Sequence, residues 1–231
     1  MQPATGLVGA TIGAITHHIR IRDLMPGDRL PSEADLSRQL NVSRSVVREA
    51  FRSLAAIRII DVSTGRRATV AHIDHGAMGL MIEHGLNTDQ ISVQHIYDVR
   101  RTIESRIASL ASLRRTEGEA AQILALAAQM RTAADDPQRL MELDLALHAA
   151  LAGACRNPVF QLIVGAFQGI SRQTWPIGWK SRTNDAERER MFAMHEDIAR
   201  AVTAGDPVAA ATAMAAHFDE SVRVLLTVGM A

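Results

Sequence analysis

Residues 30–70 constrain the fold most, because they predict two short helices in close succession followed by a β-hairpin. Ser32 and Ser43 each precede an apolar-periodic run and are good helix N-caps. The hairpin follows the second helix directly, and Gly65 supplies its turn. Two short helices joined by a tight turn and followed by a hairpin are typical of a winged helix-turn-helix.

The second predicted helix has an apolar side and a basic side. Apolar residues at helical spacing form the first side: Val47, Ala50, Phe51 and Leu54. Arginines four residues apart form the other side: Arg44, Arg48 and Arg52. A short helix with one apolar side that packs on the protein and one arginine side that faces outward is suited to bind in the major groove of DNA. The alternative is a solvated helix, but the stripe has charge of one sign and no paired glutamate, so we favour DNA binding.

Three strings in this segment resemble the winged-helix domain of GntR-family bacterial regulators: PGDRLPSE at 26–33, VSRS at 42–45 and VREA at 47–50. The resemblance implies that four residues contact bases and phosphates: Ser43, Arg44, Ser45 and Arg48. It also implies that Gly65 and Arg66 bring the tip of the wing into the minor groove. Two positions depart from the family pattern, since Ala34 is commonly an arginine that touches DNA and Arg58 stands where a glycine is usual. The first departure removes one family contact to the operator.

Charge is distributed unevenly along a chain whose formal net charge is zero. Residues 1–73 contain ten arginines and six acidic residues, a net charge of +4, so the remainder carries −4. A basic N-terminal part can attract the phosphates of nucleic acid, while the acidic remainder suits a separate domain that senses a ligand.

The sequence carries no signal for export or membrane insertion. The lone Cys155 excludes an internal disulfide framework and suits a reducing compartment. The apolar run at 7–15 lacks the basic segment that precedes a signal peptide core. No apolar stretch approaches the roughly 18 residues of a membrane span. We therefore expect a soluble cytoplasmic protein without a membrane partner.

Beyond the hairpin, residues 71–76 are the predicted linker, and the pattern that follows is almost entirely helical. Helix-breaking segments separate its amphipathic runs: 85–87, 135–137, 157–158, 183–185 and 205–207. Three of these pair a capping residue with a proline, which suits the first turn of a helix. We predict a mainly α protein, with a winged helix-turn-helix domain at 1–73 and an antiparallel all-α bundle of six or seven helices at 77–231.

Four polar residues lie on apolar faces of the predicted bundle helices. Asp144 and His148 are four residues apart on one helix, while His195 and His217 lie among apolar residues on later helices. Taken singly, each histidine is more simply a hydrogen-bonded core residue than a ligand. Together, imidazole nitrogens and a carboxylate oxygen suit zinc, nickel, manganese or iron, with positions left for water or an acidic ligand.

A second resemblance concerns this helical part. Residues 97–104 and the Asp-His-His-His pattern are similar to the FadR-like branch of the GntR family, which has an all-helical ligand-binding domain of the FCD type. The resemblance covers nearly the full chain and implies a divalent metal cofactor, zinc before the alternatives, at four residues: Asp144, His148, His195 and His217. Short strings such as PSEADL and REAFRSL are also similar to members that sense sugar acids such as galactonate.

Arg100 lies at the edge of the apolar stripe of its helix and has two interpretations. The first is a weak surface ion pair with Glu104, one helical turn away. The second is a guanidinium that points into the bundle and holds a carboxylate in a bidentate pair. In the resembling family an arginine here anchors an acidic effector, so we predict Arg100 as the effector-binding residue. Arg172 and Trp175 are further candidates for the pocket, and Asn157 is predicted as a helix cap.

Two functions of different classes remain. The first is a transcriptional repressor whose homodimer binds a near-palindromic double-stranded operator and responds to a small organic acid, such as a sugar acid. The second is a metal-dependent hydrolase with a basic nucleic-acid-binding head. No HExxH motif, nucleophile elbow or phosphate-binding glycine loop occurs. Glu196, the candidate base beside His195, points about 100° away from it on a helix. We therefore predict a regulator and not an enzyme.

Overall fold

Helices dominate the fold, as the sequence predicts. The computed structural model describes residues 6–227 and 229, and the chain divides into two compact units between Ala77 and Met78. The predicted fold class, a winged helix-turn-helix followed by an all-helical part, is confirmed.

The first unit contains the helix-turn-helix and its wing. In chain order its elements are α1 (Leu7–Ile21), α2 (Glu33–Leu40), α3 (Arg44–Ala56), β1 (Ile60–Asp61) and β2 (Thr69–Val70). The Ser32 hydroxyl accepts a hydrogen bond from the Asp35 amide at 3.2 Å, and that of Ser43 accepts one from the Val46 amide at 3.4 Å. Both serines are therefore the predicted N-caps, which satisfy amide groups that the first helical turn leaves free.

The core of this unit forms where the helices meet the wing. Its buried side chains come from α1, α2, α3, β1 and the segment between α1 and α2: Ile15, Leu30, Leu36, Val47, Leu54 and Ile60. Because α3 places its apolar residues at helical spacing, one side of it packs into this core and its arginine side stays at the surface.

The wing is a short antiparallel hairpin in which Ile60 pairs with Val70 and Asp61 with Thr69. Gly65 has a φ of +72° in the connecting turn, which glycine adopts without steric cost. Arg58, at the entry to the wing, also has a positive φ of +61°. This left-handed backbone explains why a glycine is usual there, and here the Arg58 side chain instead reaches Asp74, with Nε 2.5 Å from Oδ2.

The remaining described residues form eight helices, one more than the upper limit of the sequence-based count. They are α4 (Gly76–Asn87), α5 (Val93–Arg114), α6 (Glu117–Thr132), α7 (Pro137–Ala154), α8 (Pro158–Ala166), α9 (Gln168–Ser181), α10 (Asp185–Thr203) and α11 (Pro207–Thr227). The boundary between α5 and α6 has no helix breaker but is marked by a capping box of Thr116 and Glu119. The boundary between α8 and α9, at Phe167, has no cap hydrogen bond from a side chain.

Helices α5, α7, α9, α10 and α11 surround the polar residues singled out by the sequence. Helix α11 packs along α5 and α10, and α5 also packs on α7. Asn157 caps α8 as predicted, since its side chain accepts from the Val159 amide at 3.0 Å. Within the described residues, no helix has both the length and the apolar character needed to cross a bilayer.

Candidate functional site

The surface of α3 and the wing carries the predicted DNA-contacting residues. All of them are exposed: Ser43, Arg44, Ser45, Arg48, Arg52, Gly65 and Arg66. Exposed arginines on a helix whose other side is buried can approach phosphates or base edges without disturbing the core. Among the described residues, Arg44 and Arg66 have no ion-pair partner.

The expectation that this arginine stripe has no glutamate partners is wrong. Arg48 donates from Nη2 to Oε2 of Glu33 at 2.8 Å and from Nε to Oε1 at 3.3 Å. Arg52 lies 3.7 Å from Glu49. Glu33 belongs to the preceding helix, α2, so the packing of two helices creates the Arg48 pair, which helical spacing within α3 does not indicate. The side chain of Arg48 must change partner, or share it, to reach DNA.

In the helical part, the four predicted metal ligands converge. Helix α7 contributes Asp144 and His148 from adjacent turns of one face, α10 contributes His195 and α11 contributes His217. All four are buried, and each offers one nitrogen or oxygen atom within 4.8 Å of the others. The ring centroids of His195 and His217 are 4.5 Å apart, and those of His148 and His217 are 5.3 Å apart.

The hydrogen bonds of His195 determine which nitrogen faces the cluster. Its Nδ1 lies 2.8 Å from the carbonyl oxygen of Met191, which can only accept, so Nδ1 carries the proton. In a neutral ring, Nε2 then presents its lone pair to Oδ1 of Asp144, 2.7 Å away. Two acceptors at this distance require a cation between or beside them, either a proton or a metal ion.

His148 is oriented by a buried carboxylate that the sequence analysis treated only as a surface partner of Arg100. Its Nδ1 donates to Oε2 of Glu104. Its Nε2 is buried and has no hydrogen-bond partner among the described residues. A histidine that donates one N–H to a carboxylate and presents its other nitrogen to a cluster has the arrangement found at metal sites.

Electrostatics keep the acidic groups of the cluster charged and one imidazole neutral. Burial alone would raise the pKa of Glu104, but Arg100 and His148 outweigh it and lower that pKa to about 2. The pKa of Asp144 also lies well below its usual value, because its contact with His195 and the nearby histidines outweigh burial. Burial and the neighbouring histidines hold the pKa of His217 well below its usual value, so its ring keeps a free lone pair.

Arg100 combines features of both of its sequence-based interpretations. It pairs with Glu104 one turn away, with Nε 2.8 Å from Oε1, but both side chains are buried and not at the surface. Its Nη1 donates to the Ser171 hydroxyl at 2.9 Å, and its guanidinium lies over the ring of Phe218. These hydrogen bonds leave Nη2 without a partner among the described residues. The side chain thus points into the bundle with donor capacity left over.

Arg100 and the four clustered residues line one cavity. Its empty volume, including the part open to solvent, is about 540 Å³. Trp175 lines it as predicted, but Arg172 does not, because Arg172 forms an exposed ion pair with Glu142.

The donor set of this cluster fits a divalent metal ion. Three imidazoles and one carboxylate suit zinc and also nickel, manganese or iron. The unpartnered Nε2 of His148 is the atom that such an ion would satisfy. Asp144, His148, His195 and His217 could therefore hold a metal in the wall of the cavity, beside Arg100.

Comparison with known proteins assigns both parts of the chain. Residues 8–70 match the bacterial regulatory proteins of the gntR family, and residues 95–220 match the FCD domain. The chain belongs to the GntR family.

Individual relatives of this GntR-family chain are regulators. It is 28% identical over 206 residues to the HTH-type transcriptional regulator LutR of Bacillus subtilis, a match that covers 86% of this chain and 92% of that protein. It is 29% identical to the galactonate operon transcriptional repressor of Escherichia coli, over 87% and 89% of the two chains. The solved structure of Streptococcus agalactiae GntR is 26% identical, with a TM-score of 0.68 over 94% and 99% of the chains. Because the curated relatives are named as regulators, the prediction that the chain is not an enzyme is confirmed.

Sequence reasoning about this GntR-family chain missed four buried polar residues of the site. Thr174 lines the cavity and forms a hydrogen bond with the Tyr97 hydroxyl. Glu104 bridges Arg100 and His148, Ser171 accepts from Arg100, and Arg182 lines the cavity. Glu104 carried a signal, since it is one turn after Arg100 on the apolar side of α5. Arg182 follows the last residue of α9 and carries no helical periodicity that would place it in the cavity.

Proposed function

We propose that this GntR-family chain is a transcriptional repressor whose affinity for its operator is controlled by a small organic acid bound in the helical part. Residues 1–73 bind the DNA, and residues 77–231 bind a divalent metal, zinc before the alternatives, bind the acid and form a homodimer. The convergence of Asp144, three histidines and Arg100 on one cavity carries this proposal. Since operator DNA is its partner, the protein acts in the cytoplasm.

Arg100 is the residue proposed to select an acid. Its guanidinium is buried and keeps Nη2 for a ligand, and a carboxylate can accept from the planar fork in a fixed orientation. A metal ion held beside it would supply positive charge for a second oxygen of the same acid. Glu104 and Ser171 hold the guanidinium in place while a ligand enters. The name of the galactonate operon repressor supports a sugar acid as the ligand class.

The acid controls DNA binding only to the extent that it binds two states of the protein differently. If the acid binds the DNA-free state more tightly, it releases the operator by that same free-energy difference. Repressor relatives support release as the direction of the response.

Fluorescence anisotropy on DNA from the region upstream of the gene tests this function. At one fixed salt concentration, we expect tight binding that one member of a panel of aldonic, hexuronic and hydroxy acids reverses. Binding no tighter than to random DNA would contradict the regulatory assignment for that operator.

Two matched variants test the role of Arg100. Arg100→Lys keeps the charge but loses the planar fork, so the acid concentration needed for release should rise about tenfold or more. Arg101→Lys, at the neighbouring position where Arg101 forms an exposed ion pair with Asp219, should respond like the wild type. An unchanged response of Arg100→Lys would show that the acid binds elsewhere.

A further inference from the structure

A second guanidinium lies in the wall of the same cavity. Arg182 follows the last residue of α9 and is only 8% exposed. It lines the cavity together with Arg100, Trp175 and Trp179.

Arg182 has no carboxylate partner among the described residues. Its one side-chain hydrogen bond there runs from Nη1 to the carbonyl oxygen of Gly178 at 2.7 Å. Glu220, Asp144 and Glu187 influence it only from beyond ion-pair distance. A guanidinium stays charged when buried, and a buried charge without a counter-charge is costly. The cavity wall thus holds a guanidinium that no carboxylate of the described residues pairs with directly.

The local backbone makes room for this side chain. A Cβ atom at Gly178 would lie 3.3 Å from Nη1 of Arg182, closer than ordinary van der Waals contact. Glycine at this position of α9 therefore allows the guanidinium to fold back over the last turn of the helix and into the cavity. An alanine methyl group here would push the guanidinium by a few tenths of an ångström.

We propose that Arg182 is a second anion-binding residue and that the effector is a dicarboxylic acid, with one carboxylate at Arg100 and the other at Arg182. This inference rests on the proposed function, in which the cavity binds an acid. A single guanidinium with one nitrogen already used by a carbonyl group matches one carboxylate in charge better than it matches a doubly charged phosphate. Arg182 then determines specificity for the far end of the ligand.

A matched pair of ligands isolates the second carboxylate. Galactarate and galactonate have the same carbon chain and hydroxyl groups and differ only in whether the terminal carbon is a carboxylate or an alcohol. By titration calorimetry, the wild-type full-length protein should bind galactarate about tenfold more tightly or better, as expected for one charged hydrogen bond.

The variants then assign this preference to Arg182. Arg182→Gln should weaken galactarate binding about tenfold, to the level of galactonate, and leave galactonate binding unchanged. Arg190→Gln, an exposed position on α10, should change neither affinity. Gly178→Ala keeps the charge and shifts the guanidinium by only a few tenths of an ångström, so it should weaken galactarate binding less than Arg182→Gln does.

Four results would overturn the dicarboxylate assignment: equal affinity for the two acids, binding of neither, a preference for galactarate that survives Arg182→Gln, or tighter binding of a phosphorylated aldonate. If galactonate still releases the operator when galactarate has no advantage, only this inference fails. If no acid releases the operator, the proposed function fails with it.

Discussion

Glu104 shows how one buried carboxylate can serve two functional groups. Its Oε1 accepts from Arg100, and its Oε2 accepts from His148, so the proposed acid-binding residue and a proposed metal ligand share one anchor. Each oxygen also determines a geometry: the plane of the guanidinium and the tautomer of the imidazole. The chemistry of the cavity therefore depends on a residue that is not itself among the four clustered ligands.

Glu104→Gln should weaken metal binding by about 10- to 100-fold, as loss of a carboxylate behind a ligating histidine commonly does. An amide NH₂ group facing Nδ1 of His148 donates to it, which moves the ring proton to Nε2 and removes the lone pair from the cluster. Competition with a chromophoric chelator measures the affinity.

The control for this change is Glu142→Gln, since Glu142 forms a surface pair with Arg172 outside the cavity. It should bind metal like the wild type. Equal metal affinities of the Glu104 and Glu142 variants would exclude a role for Glu104 behind the site.

Replacing His195 or His217 by alanine should abolish bound metal and the response to acid together. In wild-type protein, a metal at a hundred times its dissociation constant should stabilise the fold by about 2.7 kcal/mol, and a chelator should remove that stabilisation. Neither alanine variant should show this difference. Elemental analysis and thermal melts with and without chelator provide the measurements.

His84→Ala is the matched control, because His84 is an exposed histidine of α4. It should retain metal and its stabilisation. Metal content that persists in both the His195 and His217 variants would mean that the ligand set is wrong.

The two faces of α3 have different roles: one packs in the core and the other is proposed to contact DNA. Its apolar residues are buried in the core of the first unit, while its arginines are exposed. The Arg48–Glu33 pair connects α3 to α2 at the surface, where solvent weakens such pairs. Changes on the basic face should therefore alter DNA binding far more than folding.

Arg48→Ala should weaken operator binding about 10- to 100-fold, the loss expected for one good base or phosphate contact. The melting temperature of the protein should stay the same, because the Arg48 pair is exposed. Anisotropy at fixed salt and a thermal melt measure the two properties.

Arg20→Ala removes the same charge from an exposed position on α1 and should cost much less affinity. If the Arg20 and Arg48 variants lost affinity equally, net charge alone would explain the binding. The recognition role of α3 would then be excluded.

Tight binding to a near-palindromic operator requires two copies of the winged helix-turn-helix. A dimer with twofold symmetry places two recognition helices about one turn of duplex apart, so its operator is a near-palindrome. Light scattering should therefore give twice the mass of the chain in solution.

Inserting five base pairs between the two half-sites should abolish tight binding, because it rotates one half-site by about half a turn, to the opposite face of the duplex. Replacing spacer base pairs without changing its length should have little effect. The proposed dimer would be contradicted if the protein were a monomer in solution and bound the operator with and without the five-base-pair insertion equally tightly.

The fold class and the helix-turn-helix could be predicted from sequence alone, because caps, turns and helical periodicity act between residues close together along the chain. The Asp-His-His-His pattern also identified four residues that the fold brings together, although periodicity alone left them as possible core residues. The missed α5–α6 boundary carried a local signal, the capping box of Thr116 and Glu119. The α8–α9 boundary at Phe167 carried none.

Which polar groups meet depends on long-range packing. Glu104 and His148 are 44 positions apart, and His195 and Asp144 are 51 apart, so no local pattern encodes either contact. The same is true of Glu33, which pairs with Arg48 through the packing of two helices. Arg182 lines the cavity, and its guanidinium packs closely against Gly178. Burial of a charged side chain and its pairing depend on residues that are distant in sequence. These residues determine whether an arginine faces water, a carboxylate or a ligand cavity.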